Sequence, residues 1–247
     1  MKKTYLAVAV AAALATHGVV HAQDYQAEAG LSYIDIDVDG FSDSAIGLDF
    51  TYFIESVNTQ DRPLAEAYFL GRNSNVGASY MTVDEADIDT LGLSAEFWIE
   101  NIYVAADFSR ADFGLIDETF NDYSARLGYM MSDSLLGYVG LKDGDSFDEN
   151  SFLAGVKYVA DIGSGFVNLE AEIETNDGDN MLSLMGDYFF SNQFSAGVRV
   201  VETDVDGVDT GFGVGSRYFF TPTVSGELEY FTQDDVDVIG LRAAARF

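Results

Sequence analysis

From residue 24 onward, apolar and polar residues alternate with a period of two. Ala29, Leu31 and Tyr33 stand against Gly30 and Ser32, and Ile46, Leu48, Phe50 and Tyr52 against Gly47, Asp49 and Thr51. This period puts successive side chains on opposite faces of an extended chain, which predicts β-strands. Fourteen such segments are predicted, near 24–36, 44–54, 74–84, 88–99, 101–111, 119–131, 134–142, 150–160, 165–175, 180–190, 193–204, 208–220, 223–233 and 236–247. After residue 22 no run of 18 or more apolar residues occurs, so no membrane-spanning helix is encoded. Strands of about 10 residues suit a tilted crossing of a bilayer.

The turns between the segments are of two alternating kinds. One is acidic and often contains glycine: 37–43, 84–89, 110–118, 142–149, 176–180, 204–209 and 233–237. The other is short and flanked by aromatic or large apolar residues: 98–101, 131–134, 161–165, 190–194 and 219–223. In an outer-membrane barrel tight turns face the periplasm and longer loops face outside, so the acidic set is predicted external and both chain ends periplasmic. The first acidic turn carries Asp35, Asp37, Asp39 and Gly40, the opening of an EF-hand loop, but its twelfth position is Ile46 rather than glutamate and strands flank it. Asp-Gly between alternating runs reads instead as a hairpin tip. The connection 55–73 breaks the regularity. A strand there would make fifteen and invert the turn classes. Pro63, Leu64, Ala65, Glu66 and Ala67 favour a short helix or plug on the periplasmic side, with a plain long turn as the alternative.

Lys2 and Lys3 before the apolar run 5–15, with Val20-His21-Ala22 beyond it, predict a signal peptide over 1–22, cleaved before Gln23, and a single barrel domain over 23–247. The mature chain would hold ten basic residues against 42 acidic ones, a net charge near −32. That balance argues against nucleic acid as a partner and for cations. There is no cysteine, and both histidines, His17 and His21, fall in the signal. Cysteine-based zinc sites and histidine-based acid–base chemistry are therefore closed to the mature chain, and neither a catalytic residue, a metal site nor a cofactor is expected. Inward glutamate pairs such as Glu170 and Glu172, or Glu227 and Glu229, read as solvated charges rather than an acid–base pair.

Letting the apolar residues mark the lipid-facing side fixes where the charges point. In 193–201 the outward set Phe194, Ala196, Val198 and Val200 leaves Arg199 inward; in 211–220 Phe212, Val214, Tyr218 and Phe220 leave Arg217 inward. The same rule sends Arg126, Lys157, Arg242 and Arg246 inward, with Glu28, Asp49, Glu96, Asp107, Glu170, Glu172, Asp187, Glu227 and Glu229. A basic residue on the lipid face would cost about 2–4 kcal/mol at the midplane, so this segregation is what a barrel requires. A soluble sandwich also alternates, but has no reason to alternate two chemically distinct turn classes. Tyr52, Phe97, Tyr129, Tyr158, Tyr188, Phe190, Tyr218 and Phe220 cluster near the short turns, where an aromatic girdle belongs.

The chain ends "VIGLRAAARF", with Leu241, Ala243, Ala245 and Phe247 on one side of the last strand. This resembles the C-terminal strand of bacterial outer-membrane proteins, in which the barrel assembly machinery reads a terminal phenylalanine; Ala245 stands where such strands often carry an aromatic. The mature chain also resembles the porin family of Gram-negative outer-membrane β-barrel proteins, most specifically through "YFIESVNTQDRPLAEAYFLGRNSNVGASY" (52–80). The resemblance implies a porin-like barrel in the outer membrane and names no catalytic residue. The expectation is an all-β transmembrane up-and-down barrel conducting small hydrophilic solutes or ions, its fifteen inward charges lining the pore, with outer-membrane lipids and lipopolysaccharide as surroundings. Acidic excess predicts cation preference, opposed by a basic stripe that Arg199, Arg217, Arg242 and Arg246 could form on strands 11, 12 and 14. A non-conducting structural or adhesive barrel whose acidic loops bind divalent cations is the alternative.

Overall fold

The computed structural model describes residues 24–146, 150–176 and 179–247. The predicted signal peptide lies outside the described residues, as do parts of the turns 142–149 and 176–180. Fourteen strands follow in order: β1 (Asp24–Val38), β2 (Phe41–Asn58), β3 (Asn75–Val83), β4 (Ile88–Ile99), β5 (Ile102–Phe113), β6 (Glu118–Ser132), β7 (Leu135–Gly144), β8 (Ser151–Asp161), β9 (Phe166–Asn176), β10 (Asp179–Ser191), β11 (Phe194–Thr203), β12 (Gly211–Thr221), β13 (Val224–Gln233) and β14 (Val236–Arg246). Each pairs antiparallel with its sequence neighbours and β1 pairs with β14, closing the sheet into a barrel without a free edge. The fourteen segments read from the alternation are these strands.

Several strands run further toward the acidic end than predicted. The turn 37–43 shrinks to Asp39 and Gly40, both at positive φ (48° and 81°), and Asp37 accepts a hydrogen bond from Ser42 Oγ at 2.9 Å across the hairpin. The candidate EF-hand opening is the tip of the β1–β2 hairpin, paired up to Val38 and Phe41. Likewise β5 runs to Phe113 and β7 to Gly144, absorbing Lys142 into the wall. Polar residues at these ends still alternate, and there the hydrogen-bond ladder, rather than side-chain apolarity, defines the strand.

Three of the five short turns share a device that alternation does not reveal. Met130-Met131-Ser132, Phe189-Phe190-Ser191 and Phe219-Phe220-Thr221 each put two large apolar residues together, and the register shifts at each pair. The first of the pair is buried inside the barrel and the second is exposed outside. The Ser or Thr hydroxyl then accepts a hydrogen bond from the backbone N–H two residues on, at 3.3 Å in Ser134, 3.2 Å in Gln193 and 3.3 Å in Thr223. A β-bulge and an ST-turn thus close each hairpin.

Connection 59–74 folds back into the short-turn mouth. Leu64–Glu66 forms a 3₁₀ turn that continues into a short helix, α1 (Ala67–Gly71). Arg72 caps it in the left-handed region (φ 52°), and the Asn73 N–H reaches the Tyr68 carbonyl at 3.0 Å, as in a Schellman ending. Leu64, Ala67 and Phe69 are buried. Phe69 packs with Tyr103, Met130, Leu136 and Val159, and Ala67 with Tyr25, Phe53 and Val57, so the segment bears on opposite walls and forms a plug.

The candidate channel

Strand register carries one side-chain face continuously around the barrel. Glu28 stands opposite Arg246, Ser32 opposite Arg242, Arg242 opposite Glu227, and Glu227 opposite Arg217. Arg199 follows opposite Met185, and Met185 opposite Glu170; Asp187 opposite Asn168; Glu170 opposite Lys157; Glu172 opposite Gly155. Asp107 lies opposite Ser124, Glu96 opposite Asn75, Asp49 opposite Gly30, and Glu229 opposite Gly215, while Arg126 is opposite Ala105. All fifteen of these charged residues therefore share the inner face.

The structure gathers them into two groups. In the first, Arg242 donates to Asp49 (2.6 and 3.0 Å), Glu28 (2.9 Å) and Glu227 (2.6 Å), tying β14 to β2, β1 and β13. Arg217 approaches Glu28 at 3.4 Å and Glu227 at 3.3 Å. Arg246 donates to Glu28 at 2.6 Å and to the Leu64 carbonyl at 2.9 Å, with its guanidinium 4.3 Å from the Tyr25 ring centre and 4.5 Å from that of Phe219. Three arginines thus meet three carboxylates, so of the predicted basic stripe Arg217, Arg242 and Arg246 are neutralised and Arg199 is not. In the second group Arg126 donates to Asp107 at 2.8 Å and lies 3.8 Å from Glu172, which accepts from Tyr138 Oη at 2.9 Å. Lys157 donates to Glu170 at 2.7 Å and lies 3.0 Å from Glu66 of the plug, with its ammonium 5.1 Å from the Phe69 ring centre. Burial pushes the Glu66 carboxyl above its usual range, against the opposing pull of Lys157.

Glu96, Asp187, Glu229 and Arg199 are left without an ion pair among the described residues. Glu96 accepts from Tyr103 Oη (3.2 Å) and Asn75 Nδ2 (3.3 Å), Asp187 accepts from Asn168 (3.2 Å), and Arg199 donates to Met185 Sδ at 4.0 Å. The sequence reading missed Glu66 and the inner-face pair Lys142–Glu174. Parity counted on from Gly140 would have found Lys142. Nothing in local spacing says that Glu66 turns into the barrel.

Two cavities flank the plug and share Tyr68 and Glu96 as walls. One, of about 400 Å³, lies against Phe69, Trp98, Tyr138, Lys157 and Arg199; the other, of about 350 Å³, against Tyr25, Glu28, Arg217, Arg242 and Arg246. At the opposite end aspartates clamp hairpin to hairpin. Asp43 accepts from the Glu85 and Ala86 N–H groups at 2.9 Å, Asp145 from the Asn121 N–H at 2.9 Å, and Asp204 from Asn180 at 2.5 and 2.7 Å. These hydrogen bonds hold the Asp145 and Asp204 carboxyls below the usual range. On the outer face Tyr188, Phe190, Phe194, Tyr218 and Phe220 form an unbroken row of rings, with neighbouring centres 4.8–6.2 Å apart.

Among solved structures the barrel is similar to the Acinetobacter baumannii outer membrane protein Omp33, with 24% identity over 91% of this chain and 99% of that one, at a TM-score of 0.80. It is also similar to a mutant of the Rh. blastica porin, with 10% identity over 89% of this chain and 99% of that one, at a TM-score of 0.52. At these identities the likeness shows the fold alone. No curated protein sequence matches the chain. The family model described as "Putative general bacterial porin" matches residues 1–148, more than half of the chain. With a closed barrel and a charged inner face already in place, that match settles membership: the chain belongs to this porin family, as an outer-membrane β-barrel channel protein of a Gram-negative bacterium.

Proposed function

We propose that the barrel is a passive channel for small hydrophilic solutes and ions, that its fifteen inward charges line the path, and that cations are preferred. The observation that carries the preference is what the ion pairs leave over. Glu96, Asp187 and Glu229 stay uncountered against Arg199 alone, and the aspartate-rich rim adds negative potential at the opposite mouth. Low-dielectric walls focus such a field, concentrating cations and depleting anions. Recording of refolded protein in a planar bilayer under a salt gradient tests this. A reversal potential of cation-selective sign, shrinking as salt screens the field, is expected; anion preference at low salt would overturn it.

One observation favours a second reading. The plug bears on several strands and is tied to the wall through Arg246, Lys157, Arg72 with Asn101 (2.8 Å) and Asp133 (2.9 Å), and Leu64 with Asn192 (2.8 Å). If it stays docked, the barrel is a closed structural element of the outer membrane, and bilayers would show no conductance until residues 59–74 are shortened. Export through a signal at 1–22 and reading of Phe247 by the barrel assembly machinery complete the proposal. The Phe247 carbonyl accepts from the Gln26 and Ala27 N–H groups at 2.9 and 2.8 Å, so the last residue sits on the seam that closes the barrel. Its contact with lipopolysaccharide would come through the outer aromatic and aliphatic band.

A further inference from the structure

Lys157 shows how this lumen holds an ammonium group. Its nitrogen has a carboxylate on each side, Glu170 at 2.7 Å and Glu66 at 3.0 Å, and faces the Phe69 ring from 5.1 Å. The neighbouring wall of the same cavity repeats the ingredients without the cation. Glu96 has no cationic side chain within ion-pair distance among the described residues, and is held in place by Tyr103 Oη and Asn75 Nδ2. The Tyr103 ring lies 4.8 Å from that of Trp98, and Tyr68 lines the same 400 Å³ space. An uncountered carboxylate beside aromatic faces attracts a cation by charge and, where the cation carries apolar substituents, by ring quadrupole and apolar contact together.

We propose that Glu96, with the rings of Tyr68, Trp98 and Tyr103, is a binding site for the alkylammonium group of a permeating organic cation. The proposal rests on the channel reading and names a substrate class for it. The uncountered cation of this cavity, Arg199, does not cancel Glu96. It sits on β11 and Glu96 on β4, seven strands apart in a ring of fourteen, so the two charges stand on opposite walls. Small inorganic cations would feel the same carboxylate but gain little from the rings, because they hold their hydration shells. The site therefore discriminates by the apolar body of the cation.

Trp98 is the only tryptophan of the chain, so its emission reports occupancy directly and without any current. Refolded protein in detergent is titrated with tetramethylammonium, and with neopentyl alcohol as a neutral molecule of similar shape. A saturable change is expected with the first and none with the second. Glu96→Gln preserves an acceptor for Tyr103 and should weaken the apparent affinity about tenfold, whereas Asp161→Asn, exposed at a short turn and outside this cavity, should leave it unchanged; each variant is first shown to keep its heat-modifiable gel mobility. Equal responses to both ligands, absence of saturation, or an unaltered titration in Glu96→Gln would overturn the site. Bilayer currents are recorded in parallel. Loss of conduction with an intact Trp98 titration would overturn the channel reading and leave the site standing.

Discussion

At the scale of single residues, the inner wall works because side chains reach over strands they do not belong to. Arg242 on β14 meets Asp49 on β2 across β1, and the residue beneath is Gly30. A methyl group there would lie 2.3 Å from Asp49 Oδ1 and 2.6 Å from Arg242 Nε, so it would force the pair apart. Gly30→Ala is expected to cost about 1–2 kcal/mol in urea unfolding from lipid vesicles. Gly47→Ala, where the nearest atom is 3.6 Å away, should be close to neutral. Alternation made the inward direction of Arg242, Asp49 and Glu28 legible, because parity needs only local sequence. It could not tell that these three meet, because contact across two strands depends on the stagger of the whole sheet.

At the scale of elements, the strands were legible where one face meets apolar surroundings, since period two then appears directly in composition. The bulged turns were not. A doublet such as Phe189-Phe190 looks like a lapse in alternation, although it marks the register shift that turns one large residue in and the next out. The plug was legible as a helix through Pro63 and Leu64 to Ala67, and illegible in its docking, which depends on Lys157 and Arg246 from distant strands. Its docking should follow pH. Burial raises the Glu66 carboxyl, so protonated Glu66 fits the docked site better; docking is favoured below the folded-state value and weakened as pH rises through it. Hydrogen exchange of residues 64–71, corrected for intrinsic rates, should be slower at low than at high pH. Glu66→Gln should flatten that difference, and an unchanged pH profile in the variant would reject the assignment.

At the scale of the whole molecule, the acidic composition has a structural use besides its field. Aspartate both tolerates positive φ, as at Asp39, Asp87, Asp117 and Asp234, and accepts the free N–H groups of neighbouring hairpins. Because Asn180 holds the Asp204 carboxyl below its unfolded value, that contribution is present above about pH 4 and lost as pH falls through the lower folded value. Asp204→Asn should make the rim more susceptible to proteolysis at neutral pH, with little further change on acidification, whereas the parent rim should loosen only in acid. The seam between β1 and β14 also sets an order of events. Apart from β2 and β3, which the plug segment separates, sequence neighbours are joined by short turns, but Glu28 and Arg246 are 218 residues apart, so their pairing carries the largest loop-closure entropy and comes late. Until then two strand edges stay unpaired and able to join another chain. Arg246 binds the closing strand and the plug together, so ring closure completes the seat of the plug, and residues 64–71 should gain protection in refolding no earlier than the β1–β14 seam.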